Sequence, residues 1–194
     1  MYDRLIDYIN RQVSQPVSPA ETEVIRTAFK PKKLRRHQFF LQEGEVCKVA
    51  GFVVKGALKQ YTVDESGKES VLALYLEDWW AGDRESFSQG TPSPYFIEAV
   101  EETHLLVISK EDTQQALQQL SFMPELLRTL SEKQSLQLLK RVHASHTLTA
   151  EQRLAALENQ YPAFLQRFPQ HTIASYLGMT KETLSRIRSG ATKK

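Results

Sequence analysis

The segment Gln170–Ser189, QHTIASYLGMTKETLSRIRS, combines residue types and spacings that could do chemistry. Ile173, Ala174 and Leu177 fall on one helical face, Gly178 supplies a turn, and Met179, Leu184 and Ile187 recur where a second helix would pack across the first. Ala174 is small where the helices must cross closely, and Gly178 can adopt the left-handed conformation a tight turn needs. The spacing predicts a helix-turn-helix whose second helix opens at Thr180 and Glu182, with Thr180 as N-cap. Its outward face reads Lys181, Glu182, Ser185, Arg186 and Arg188. In a major groove, Arg forks onto guanine O6 and N7 and a carboxylate accepts from cytosine N4, each good pair worth about 1–3 kcal/mol of discrimination. Lys181, Glu182 and Arg186 are the expected base readers, while Gln170, Thr172 and Thr180 are better placed for phosphates. The expected partner is double-stranded DNA. A hairpin used only for packing would not require this spacing together with a Lys/Arg/Ser outer face.

The elements that must carry this segment read from its N-terminal side. Residues 1–12 and Ala20–Phe29 have helical periodicity. From Lys32 the period falls towards two, with strands expected over Leu34–Leu41, Lys48–Lys55, Ala57–Val63, Glu69–Tyr75 and Tyr95–Ile108, separated by Gly-containing turns and a loop from Gly82 to Pro94. Many short strands at such spacing suggest a β-sandwich or barrel. Glu111–Leu120 is helical again, and Glu125–His146 runs on without Gly or Pro. Leu126, Leu127, Leu130, Leu138, Leu139 and Val142 make its apolar side, interrupted by Gln134 and Arg141. A helix this long cannot bury itself on one small sensor domain, so it connects two domains or pairs with another copy; the alternative is intramolecular packing.

Charge divides along the same line. The whole chain is +2, yet residues 1–127 carry 14 Lys+Arg against 19 Asp+Glu, and residues 128–194 carry 11 against 4. A basic C-terminal third points to nucleic acid at that end. With one cysteine, Cys47, there is no internal disulfide framework, CxxC pair or Cys-ligated metal site within one chain, and Cys47 reads as a buried small hydrophobe. No apolar run approaches the roughly 18 residues of a membrane span, and the amphipathic N-terminus is not a signal peptide, so a cytoplasmic protein without a membrane partner is expected. No Gly-rich phosphate loop, nucleophile elbow or HExxH occurs, so no catalytic residue and no enzyme activity are expected. His143 and His146 lack further ligands at metal spacing and read as surface residues; no metal is expected.

Three motifs give the chain its resemblance. Residues 34–45, with Phe39-Phe40-Leu41-Gln42-Glu43-Gly44-Glu45, then Gly51-Phe52-Val53-Val54-Lys55-Gly56, then TKETLSRIR at 180–188 in the second helix, are similar to the CRP/FNR family of bacterial transcription regulators. The likeness extends over essentially the entire chain. It implies an α+β protein: a cyclic-nucleotide-binding-like β jelly roll with N-terminal helices as effector or sensor domain (1–110), a linker and dimerisation helix (111–147), and a winged-helix-like helix-turn-helix domain (148–194). A homodimer would read a pseudo-palindrome with half-sites roughly 34 Å apart, and RNA polymerase would be a further partner. A rival of another class is a cyclic-nucleotide-binding signalling module acting through protein–protein contacts, its C-terminal helices serving as the interaction element.

The family's phosphate cassette is a Gly-Glu segment, a short helix, then Arg followed by Ser or Thr. Here Gly82-Asp83-Arg84-Glu85-Ser86-Phe87 stands at the first element, and Ser93-Pro94 at the Arg-Ser pair. The arginine fork is absent, and losing a charge-assisted contact costs about 1.5–3 kcal/mol. The expectation is a degenerate or altered effector pocket, with Gly82, Asp83, Arg84, Glu85 and Ser93 as candidates, cyclic nucleotide disfavoured, no cofactor, and room for an unknown small-molecule effector. Arg84 either replaces the missing charge from the other side or is a solvent-exposed loop arginine. Trp79 and Trp80 either line a remaining pocket or belong to the core.

Overall fold

Turn chemistry and period-two patterning from Lys30 to Ser109 produce strands, with helices on either side. The computed structural model describes residues 1–190, so two of the basic residues counted above, Lys193 and Lys194, lie outside it. Helices α1 (Tyr2–Asn10) and α2 (Pro19–Ala28) come first. Strands β1 (Lys30–Leu34), β2 (Phe39–Leu41), β3 (Val49–Lys55), β4 (Leu58–Val63), β5 (Glu69–Tyr75) and β6 (Trp80–Ala81) follow. Helix α3 (Arg84–Gln89) precedes β7 (Phe96–Ala99) and β8 (Thr103–Ser109). The chain ends in α4 (Lys110–Gln119), α5 (Met123–Thr147), α6 (Ala150–Gln160), α7 (Pro162–Arg167), α8 (Gln170–Tyr176) and α9 (Lys181–Arg188). No helix among the described residues is long and apolar enough to cross a membrane.

The strands make two four-stranded antiparallel sheets, ordered β1-β8-β3-β6 and β2-β7-β4-β5, which close on each other as a jelly roll. Leu34, Phe40, Val53, Leu58, Ile97 and Leu105 fill the space between them. The outer face of the first sheet, with Phe52 and Leu106, is covered by Leu5, Ile9, Ile25 and Phe29 of the N-terminal helices and by Leu126 of α5. The outer face of the second sheet, with Val71 and Leu74, packs on Phe164, Ile173 and Leu184 of the C-terminal helices. Gly56, at φ +107°, turns β3 into β4 where a Cβ would lie 2.4 Å from the Thr103 hydroxyl, so no larger residue fits without movement.

Several expected elements divide. The strand expected over Leu34–Leu41 breaks into β1 and β2 at His37, whose φ is +64° and whose amide donates to Ala99 O at 2.7 Å. Tyr95–Ile108 breaks into β7 and β8 because Val100 N turns aside to donate to Ala57 O at 3.0 Å. The expected loop from Gly82 contains α3. The winged-helix form expected for 148–194 is corrected: residues 148–190 hold helices α6 to α9 and no strand. Pro162 starts α7 and Phe164 and Phe168 are buried from it, so that segment belongs to a helical core.

Helix α5 spans 25 residues but buries only Met123 and Leu126. One stripe of its distal half is largely exposed, with Leu138 61%, Leu139 64% and Val142 47% exposed. The two polar interruptions have tertiary partners. Gln134 accepts from Arg84 at 2.8 Å, and Arg141 donates to Leu72 O and stacks over the Tyr176 ring at 4.3 Å.

Candidate nucleic-acid interface and effector region

The helix-turn-helix is built from local rules. Helix α8 ends at Tyr176 with Leu177 as its C-cap, and Gly178 at φ +66° sends the chain back. Met179 N then donates to Ala174 O at 3.0 Å, which fixes the close crossing for which Ala174 is small enough. Thr180 caps α9, its hydroxyl accepting from Thr183 N at 3.2 Å. Ile173, Ala174 and Leu184 are almost wholly buried. Thr180→Ala should lower module stability by about 1 kcal/mol, read as a reduced midpoint in thermal unfolding, while Thr180→Ser should restore it.

With Leu184 inward, Glu182, Ser185 and Arg186 lie on the far, exposed side of α9, and Lys181 is exposed at its first turn. Arg188, one turn beyond Leu184, stands at the flank of that face. The Glu182 carboxyl is held below its usual range chiefly by its own backbone amide at the helix start, with help from the Thr180 hydroxyl, so it is an acceptor at neutral pH. Gln170 is exposed at the start of α8. Thr172 is corrected: it is 1% exposed and turned inward with Ile173, so it cannot reach a phosphate without movement of the helix. His171 is exposed beside it at the end of α8 that carries free amides, a position that no apolar spacing could signal.

The cassette residues come together but satisfy one another. Asp83 is buried and caps α3, accepting from Glu85 N and Ser86 N. Ser86 donates to Thr91 O at 2.5 Å and accepts from Cys47 N at 2.8 Å. Ser93 is buried, and its hydroxyl accepts from Tyr95 N. Deeper in, the Tyr75 hydroxyl donates to Gln60 Oε1. Cys47 is buried beneath α3, and burial pushes its thiol up. Gly82, at φ +151°, passes close to it, and Glu85 is exposed. Arg84 does not replace the missing charge inside the jelly roll; it is solvent-exposed, as the alternative had it, but it starts α3 rather than lying in a loop and donates to Ser131 Oγ at 2.9 Å and to Gln134 Oε1 on α5. The reason is α3 itself, which starts at Arg84 and turns the side chain towards α5.

The C-terminal helices are attached to the jelly roll along the edge strand β5. Val71 N donates to Ser175 Oγ at 2.9 Å, and that hydroxyl donates to Glu69 O at 3.2 Å. Arg167 forks onto Glu77 at 3.1 Å and onto Glu101. These carboxylates, Glu101 first, push the guanidinium pKa up. Burial pushes the Glu77 carboxyl up, but Arg167 and the Gly56 amide together more than offset it and hold it below its usual range.

A jelly roll followed by a long helix and a helix-turn-helix defines a class, and comparison with known proteins bears it out. The cyclic nucleotide-binding domain family matches residues 31–120. The fumarate and nitrate reduction regulatory protein of Vibrio cholerae is 29% identical over 173 residues, covering 80% of this chain and 66% of its own length. This chain therefore spans just under two thirds of that relative. Among solved structures, FixK2 from Bradyrhizobium japonicum is similar with a TM-score of 0.71 at 18% identity, covering 84% of this chain and 83% of its own. The catabolite activator protein of Thermus thermophilus gives 0.57 at 18% identity over 94% and 85%. Residues 31–120 thus match the cyclic nucleotide-binding domain family, and the chain shares the fold of these solved structures.

Proposed function

We propose that the protein is a sequence-specific DNA-binding transcription regulator that acts as a homodimer on a pseudo-palindromic site. The observation that carries this reading is the exposed face of α9, with Lys181, Glu182, Ser185 and Arg186 on a capped helix locked across α8. Its small–Gly–apolar crossing leaves that face free of packing duties. The exposed stripe of Leu138, Leu139 and Val142 supports pairing of two copies through α5. The satisfied cassette supports an altered effector response, because Asp83, Ser86 and Ser93 already hold internal partners.

Gel-shift titration over a salt series, with competitor DNA, tests the reading. Specific binding should survive competitor and weaken steeply with salt. Arg186→Ala should remove roughly five- to 150-fold of sequence preference, the equivalent of one base contact. Unchanged preference in that variant would refute the assignment and leave the C-terminal helices as a protein-interaction element.

A further inference from the structure

Outside the jelly-roll interior, a cleft of about 820 Å³ opens beneath α5. Three parts of the molecule wall it: Tyr8 and Trp80 from the sensor side, Gln137 and Lys140 from α5, and Tyr161 and Tyr176 from the C-terminal helices. The volume lies within the roughly 300–1,000 Å³ of small-molecule sites. Its surface is aromatic at one end, where Trp79 meets Tyr161 edge-on at 5.3 Å.

Charge and hydrogen-bond capacity are unbalanced there in the same direction. Arg11, Lys133, Lys140, Arg141 and Arg153 line the cleft against one acid, Asp78, which is already paired with Arg4 and Arg11. Arg141 and Lys133 have partners within the protein, whereas Lys140 is exposed with no hydrogen bond or ion pair among the described residues. Two buried side-chain polar atoms among the described residues lack a partner, Trp80 Nε1 and Arg153 Nε. Both are donors on residues that line this cleft, though the two atoms themselves are shut off from solvent and Arg153 also donates through Nη1 to Leu148 O. Trp80 Nε1 lies beside the Tyr8 hydroxyl and interacts with it, opposing the larger effect of burial on that hydroxyl. Buried donors without acceptors are costly and uncommon. A cleft with aromatic walls and surplus cations lacks negative charge.

We propose that this cleft is a binding site for a planar aromatic anion of mononucleotide size, a ring to lie against the aromatic wall and a phosphate to meet Lys140. Because sensor, α5 and reading module all contribute walls, occupancy favours one arrangement of the three over others. The site is separate from the jelly-roll interior and does not depend on the DNA-reading assignment.

Trp79 and Trp80 are the chain's two tryptophans, so intrinsic fluorescence reports directly on the cleft. The full chain is titrated with AMP, and in parallel with adenosine and with inorganic phosphate. AMP should change the emission saturably, with adenosine and phosphate each at least ten-fold weaker. Lys140→Glu, an exposed change that leaves the core intact, should weaken AMP at least ten-fold, while Ser93→Ala inside the jelly roll, away from the cleft, should not. Absence of a saturable response to millimolar AMP would overturn the proposal. So would a response equalled by phosphate alone, or one that survives Lys140→Glu and is lost in Ser93→Ala.

Discussion

Leu139→Glu combined with Val142→Glu should convert the protein to a monomer and raise the apparent Kd for a two-half-site operator by roughly 10²-fold or more, because the second half-site contact is no longer intramolecular. Leu139 is 64% and Val142 47% exposed, and they occupy one stripe of α5 with Leu138. Leu139 and Val142 lie outside the buried core of the described residues, although Val142 also borders the cleft beneath α5, so charging them leaves the monomer's own core unaltered. Across a two-fold axis the same stripe meets itself, and each introduced carboxylate would face another. Sedimentation measures the oligomeric state, and titration of a single half-site against a paired one measures the effect on DNA. A monomeric variant that still bound the paired site as tightly as the parent would sink the dimeric reading. A variant that remained dimeric would place the interface elsewhere than on α5.

The helix-turn-helix was legible because its rules are local. Gly178, Thr180, Ala174 and Leu184 act on neighbours within about ten positions, and each has the role its type suggests. Thr172 was misread for the same reason: helix position placed it near a phosphate, but which side of α8 turns inward depends on what α8 packs against. The strands were legible as runs, while their breaks were not. His37 adopts φ +64° without being Gly, because its amide is committed to Ala99 O, and Val100 turns because Ala57 O lies across the sheet. Neither corner carries a Gly or Pro to announce it.

The polar defects in the apolar stripe of α5 show a further limit. Gln134 and Arg141 read as flaws in a heptad, yet one is the acceptor for Arg84 and the other caps the edge strand at Leu72 O. Their partners lie 50 and 69 positions away. Attachment of the C-terminal helices to the jelly roll had no signal at all, since Arg167, Glu77, Glu101 and Ser175 are ordinary surface residues until the fold brings them together.

Arg167→Ala should loosen that attachment by about 1–3 kcal/mol, the usual cost of stranding the partner of a half-buried charged hydrogen bond. Arg167 is 28% and Glu77 22% exposed, so water compensates only in part, and removing the guanidinium leaves Glu77 and Glu101 facing each other. The Val71 amide, protected by Ser175 on the edge of β5, provides the gauge. Its hydrogen exchange should quicken about five- to 150-fold in Arg167→Ala, with the β4–β7 amides at the centre of the sheet unaffected. The pH dependence has a definite sign. The Glu77 carboxyl is depressed in the folded protein, so its contribution is full above the usual carboxylate range and fades as pH falls through and below it. Acidification should therefore speed Val71 exchange in the parent beyond the intrinsic trend and have little further effect in Arg167→Ala. Equal exchange at Val71 in parent and variant would mean that Val71, Leu74 and Phe164 hold the module by apolar packing alone.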